Sequence, residues 1–148
     1  MSDHSDSPGP DHAELATELR LALIPLVREL RHQAGPDLTA SIVSALVTVL
    51  REGPIALGDL AVREHVSQPM ISKIAATVVE LGLASKVVDP TDRRVTRLEI
   101  TAEGRRQLDR SRTRKNAWLA TRMAGLSTAE TAALRAAIPV IQRLAEGP

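Results

Sequence analysis

Asp89-Pro90-Thr91-Asp92-Arg93-Arg94-Val95-Thr96-Arg97-Leu98-Glu99-Ile100-Thr101 is the stretch on which the fold turns. Its first half holds Asp, Pro and two adjacent Arg, the composition of a charged turn. Its second half alternates, Val95, Arg97 and Glu99 against Thr96, Leu98 and Ile100, with a break in phase near Val95. A period of two puts successive side chains on opposite faces, as in a strand. Turn and strand together predict the return arm of a β-hairpin, with Leu83 to Val88 as the outgoing arm and fixed positive charge at the tip.

Working outward, Ile71, Ile74, Val78 and Leu81 recur at intervals of three and four, which predicts a helix over Ser67 to Leu81. Ser67 is its expected cap, Pro69 falls in the first turn where a missing N–H costs little, and Gly82 ends it. The opposite face shows Gln68, Pro69, Ser72, Lys73, Ala76 and Thr77, all small or polar. A shorter helix precedes it, Leu57 to Glu64, with Leu57, Leu60 and Ala61 inward. Two short helices followed by a charged hairpin are the layout of a winged helix-turn-helix, a device for holding DNA.

The flanks are helical. Leu15, Leu19, Leu23, Leu26 and Leu30 predict a long helix over His12 to Ala34 with Pro25 inside it, and Gly35-Pro36-Asp37 stops it. Thr39 caps a helix carrying Ile42, Ala45, Leu46 and Val49 that ends at Gly53-Pro54. Ala102 to Met123 reads as a polar shaft, turning apolar at Ala117, Trp118, Leu119 and Met123. Ser127-Thr128-Ala129-Glu130 is a capping box opening a last helix to about Ala145, with Pro139 inside. Pro25 and Pro139 should kink the two terminal helices where these pack together. The expected fold class is mainly α with a small β-hairpin wing. The expected organisation is a disordered acidic tail over 1–10, helical regions over 11–34 and 102–146, and a winged helix-turn-helix over 37–101.

Composition narrows the function. The 148 residues suit one domain with a real core. The absence of cysteine removes disulfides, thiolate zinc sites and thiol redox chemistry. His4, His12, His32 and His65 are scattered and make no metal set, and no catalytic or Gly-rich phosphate constellation is present, so neither an enzyme nor a cofactor is expected. An acidic, Lys/Arg-free start over residues 1–18 and no long apolar run argue against a secretory signal or a membrane span, and for the cytoplasm. Net charge is only +1, yet residues 86–115 hold ten basic against five acidic side chains. Segregation of this kind, with 16 Arg to 3 Lys, suits phosphate and minor-groove contact.

The pattern Asp92-x-Arg94-x-x-x-Leu98-x-Ile100-Thr101, followed by Glu103-Gly104 and preceded by Leu81-Gly82-Leu83, resembles the MarR family of bacterial transcriptional regulators. Ile100 stands where the family pattern has Leu. Helix order fits over about 12–146. The resemblance implies a homodimer in which the terminal helices of both chains interleave, with two winged helices spaced for a pseudo-palindromic duplex site. It also implies a repressor of its own or a neighbouring operon, released by a small-molecule effector bound between the two parts. Gln68, Ser72, Lys73 and Thr77 are the expected major-groove residues, with Ser67 and the first-turn N–H groups on a phosphate. Arg94 is expected in the minor groove, Arg93 on the backbone, and Asp92 orienting the arginine by an ion pair. Arg63 and His65 are further backbone candidates, and the Arg105 to Lys115 run a solvated face that adds long-range attraction. Trp118, the one aromatic residue, is assigned to the dimer core. The alternative is a winged-helix protein–protein interaction module without DNA binding, which a salt-dependent duplex affinity would exclude.

Overall fold

The computed structural model describes residues 10–146. The chain runs α1 (Pro10–His32), α2 (Ala40–Glu52), β1 (Ile55–Ala56), α3 (Leu57–Glu64), α4 (Gln68–Glu80), β2 (Ala84–Val88), β3 (Thr96–Ile100), α5 (Ala102–Met123) and α6 (Thr128–Glu146). Mainly α with a small wing is the expected class, and each expected helix is present. Apart from Pro10, the first residue of α1, the expected acidic tail lies outside the described residues.

Capping chemistry sets the helix starts. The Thr39, Ser67 and Thr101 hydroxyls accept from the N–H groups of Ile42, Met70 and Gly104. Ser127 and Glu130 form the reciprocal box, the Ser127 N–H donating to the Glu130 carboxylate at 2.8 Å. Helices α1 and α6 continue through Pro25 and Pro139.

The sheet holds one strand more than the sequence suggests. The two-residue β1 pairs antiparallel with β3, giving the order β1-β3-β2. Ile55 lies opposite Leu98, and Lys86 lies opposite the same Leu98 on the other side. The core runs from Ala34 to Leu108, with Leu46, Leu60, Ile71, Val78 and Leu98 sealed at its centre. Leu81, expected on the buried face of α4, is instead its exposed C-cap, because the helix ends there and Gly82 turns the chain at φ 70°.

One junction joins α5 to the wing. The Thr101 N–H donates to the Leu83 carbonyl at 3.0 Å, and its hydroxyl donates to the Gly82 carbonyl at 2.7 Å. A Cβ on Gly104 would stand 2.0 Å from that same Leu83 oxygen. Glycine at 104 lets the first turn of α5 lie against the backbone leading into β2.

Helix α5 is polar on most sides, as expected, with a buried stripe at Gly104, Leu108 and Ser111. It is more than a solvated shaft. Arg114 donates to the carbonyls of Gln33 at 3.0 Å and Ala34 at 2.6 Å, tying α5 to the segment between α1 and α2. Trp118 is half-buried, with the Arg122 guanidinium 5.1 Å from its ring centroid.

Candidate nucleic-acid interface

Helices α3 and α4 are joined by His65, Val66 and Ser67, a three-residue turn of the helix-turn-helix kind. His65 makes that turn in the left-handed region at φ 53° and caps α3 through bonds to the Ala61 and Val62 carbonyls. Four residues, Ile71, Ile74, Ala75 and Val78, seat α4 on the core. Val79 packs partly against the same core, and the exposed residues from Gln68 to Ala76 are turned outward.

Ser72 and Lys73 are exposed on that outward side, and Thr77 is half-buried. The Thr77 hydroxyl donates back to the Lys73 carbonyl at 3.0 Å, so its proton is already committed. Gln68 is exposed, but its amide nitrogen leans over α3, 3.4 Å from where a Cβ on Gly58 would sit. The first turn of α4 is also poorer in donors than expected. Pro69 has no N–H, Met70 gives its own to Ser67 Oγ, and Ile71 gives its own to the Ser67 carbonyl, which leaves the Gln68 N–H.

The wing tip is braced at two levels. At its base the Asp89 carboxylate is buried and accepts from the Thr91 N–H at 2.8 Å, the Thr91 hydroxyl at 2.6 Å and the Asp92 N–H at 3.0 Å. It also pairs with the Arg97 Nε. The Thr91 hydroxyl, followed by Arg97 and the two N–H groups, holds this carboxyl well below the usual carboxylate range. Arg97 reaches further, donating to the Pro54 carbonyl at 3.3 Å and so fixing the wing to the segment before β1.

At the tip, Asp92 Oδ1 accepts from the Arg94 N–H at 3.0 Å and from its Nε at 3.3 Å. The Arg94 side chain is 92% exposed, oriented at its root and bare at its end. Arg93 beside it is exposed. Arg63 is engaged by Glu52 at 3.4 Å. Asp89 and Arg97 were missed by sequence reasoning, although Arg97 lies opposite Val87, which makes Asp89, two residues on, its diagonal neighbour across the hairpin.

Behind the interface lies a cavity of about 560 Å³, bounded by the α1–α2 connection, the end of α4 and α5. Leu38, Leu81, Leu83, Gln107 and Arg114 line it. Trp118 lies outside this lining.

The MarR family model matches residues 38–96, from the start of the core to the wing. An HTH-type transcriptional regulator of Mycobacterium bovis is 31% identical over 135 residues, 90% of this chain and 94% of that one. The crystal structure of a transcriptional-regulator-class protein from Pseudomonas aeruginosa superposes with a TM-score of 0.86 at 30% identity, covering 95% of this chain and all of the other. An S. aureus MepR mutant bound to an oligodeoxyribonucleotide shares the fold, with a TM-score of 0.69 at 15% identity over 86% of this chain and 95% of that one. With the hairpin arginine, the three-residue turn and these likenesses together, the chain belongs to the MarR family of HTH-type transcriptional regulators.

Proposed function

We propose that this regulator acts as a homodimer on a pseudo-palindromic duplex site, with α4 of each subunit in a major groove and Arg94 in the adjacent minor groove. One observation carries the dimer: α6 buries none of its residues, and Leu134, Ile138, Ile141 and Leu144 form a bare stripe along it. Leu21, Ile24 and Val27 are exposed on α1 in the same way. Two such helices per chain supply the apolar surface of an obligate interface. Residues 11–34 and 102–146 then form the dimerisation region, and 37–101 the DNA-binding region.

In this reading Lys73 and Ser72 face the base edges, Thr77 and Gln68 stand at the margins, and Ser67 and Arg93 lie against phosphates. Asp92 presents Arg94 without touching DNA, since a carboxylate near phosphates is repelled. Occupation of a site upstream of its own or a neighbouring operon gives repression. The cavity beside Arg114 is the place for a small-molecule effector, because a ligand there meets the clamp between α5 and the α1–α2 connection. The lining holds no aromatic ring other than that of His32, which favours a polar or aliphatic ligand over a stacked aromatic one.

The test is binding of wild type and Arg94→Ala to the DNA upstream of the protein's own gene, from 50 to roughly 200 mM salt. The expected result is an affinity that falls steeply with salt, two chains per site, and a mutant weakened at every salt with a slope shallower by about one. No duplex binding by the wild type would favour the protein-interaction module instead.

A further inference from the structure

We infer that α4 reads a guanine through Lys73 and the methyl groups of neighbouring thymines through Pro69 and Ala76. The inference rests on the DNA-reading role proposed above and names what that role reads.

Buried Ile71, Ile74, Ala75 and Val78 fix the orientation of α4 about its axis. At 3.6 residues per turn, Pro69, Lys73 and Ala76 then fall along the crest opposite the core. All three are exposed. Lys73 is the one basic residue of α4, and no carboxylate among the described residues lies within ion-pair distance of it. The Thr77 proton is given to the backbone and the exposed Gln68 amide sits at the start of the helix beside Gly58 of α3, so Lys73 is the charged donor at the middle of the crest, with Ser72 beside it.

An ammonium group only donates. On the major-groove edge, guanine presents two adjacent acceptors, O6 and N7, whereas adenine sets a donor beside its acceptor and cytosine offers a donor. Thymine offers a single acceptor, O4, beside its methyl, so a donor-only side chain favours the paired acceptors of guanine. Pro69 and Ala76 have short apolar side chains, which exclude hydrogen-bonded readout and allow close approach. The apolar feature of that groove is the thymine methyl. Along the helix they stand about 6 Å and 4.5 Å from Lys73 on either side, at 1.5 Å per residue. With base pairs about 3.4 Å apart, the thymines fall within one or two steps of the guanine.

The experiment is selection from a random duplex library with the full-length wild type and with Lys73→Met, which keeps a long unbranched stem on an exposed helix position. The expected wild-type half-site carries one fixed G·C pair with thymines within two steps. The variant should still bind duplexes and keep the thymines, while losing guanine preference by about 10- to 100-fold. Replacing that guanine by 7-deazaguanine should weaken the wild type and leave the variant unchanged. Replacing the thymines by uracil should weaken both.

Uniformly weaker binding by the variant, with a shallower salt dependence and the same sequence preference, would put Lys73 on a phosphate and overturn the inference. Indifference to uracil would overturn its methyl half. No enrichment of any sequence by the wild type would overturn the DNA-reading role itself, a different failure.

Discussion

The stretch from Ala34 to Leu108 and the two terminal helices obey opposite rules. Within the first, α2, α3, α4 and the sheet bury their large apolar side chains on one another around Leu46, Leu60, Ile71 and Leu98. Neither α1 nor α6 contributes a residue to that core, although Leu15, Leu21, Ile24, Leu134, Ile138 and Leu144 are as apolar as anything inside it. A lone helix of about 20 residues is marginal in water, and most helical stability comes from packing an apolar face. The body is therefore complete within one chain, whereas the terminal helices keep their apolar faces bare and, on the dimer proposed above, are finished by a second.

Breaking that division is the largest effect to look for. Ile138→Glu with Leu144→Glu places carboxylates on the bare stripe of α6. The chain should sediment as a monomer and keep the circular dichroism of a folded winged helix. Its affinity for duplex should fall by about 100-fold or more, because two linked readers become one. A dimer unaffected by both charges would move the interface off α6.

Next comes the junction between the regions. Gly104→Ala drives a methyl into the Leu83 carbonyl, which already accepts the Thr101 N–H. Backbone has to shift, at a cost of about 1–3 kcal/mol or more in denaturant unfolding. Unchanged stability would mean that α5 can slide on β2. The Leu81-Gly82-Leu83 and Thr101-x-x-Gly104 parts of the sequence motif are thus two sides of one contact, which no periodicity argument reveals.

A smaller effect tests how firmly the body holds the wing. Arg97→Gln removes the partner of buried Asp89 and the link to Pro54. Duplex affinity should fall several-fold with the dimer intact, while Arg93→Gln should lower affinity without changing stability. The Asp89 carboxyl is held far below its ordinary range. Its contribution is therefore complete above an unfolded pKa of about 3.9 and is lost only as pH falls below that value. Between pH 8 and 5 the wild-type wing should show no loss of order attributable to this group, by amide exchange at Thr91 and Asp92. Loss near pH 6 would mean that the pair is not holding the tip.

Much of this was legible in the chain because its signals are local. Thr39, Ser67 and Ser127 announce helix starts within three residues of their partners, and the wing's alternation needs only Thr96 to Ile100. What stayed hidden is long-range. Arg114 looks like any other arginine in its run, since its partners are carbonyls 80 and 81 residues away. Strand β1 has two residues, too few for any period, and exists because β3 has a free edge beside it. On α4, residue types mark Gln68 and Thr77 as candidate readers, while the place of the amide beside Gly58 and the bond from the Thr77 hydroxyl to the Lys73 carbonyl depend on how α3 and α4 pack and fold.

The smallest effect is the most diagnostic of where one region ends. Ser111 is 1% exposed, and its hydroxyl has no hydrogen-bond partner among the described residues. It lies on the same stripe of α5 as Gly104 and Leu108, facing the body. Because its own chain already covers it, a second subunit cannot reach the hydroxyl to satisfy it. Ser111→Ala removes a buried polar group that makes nothing, a change that is neutral or favourable when no partner is left behind. Unfolding free energy should stay level or rise by up to about 1 kcal/mol, with dimer affinity unchanged. A loss of dimer affinity would show that this stripe of α5 belongs to the interface, and the boundary between the self-sufficient body and the shared helices would have to be redrawn along α5.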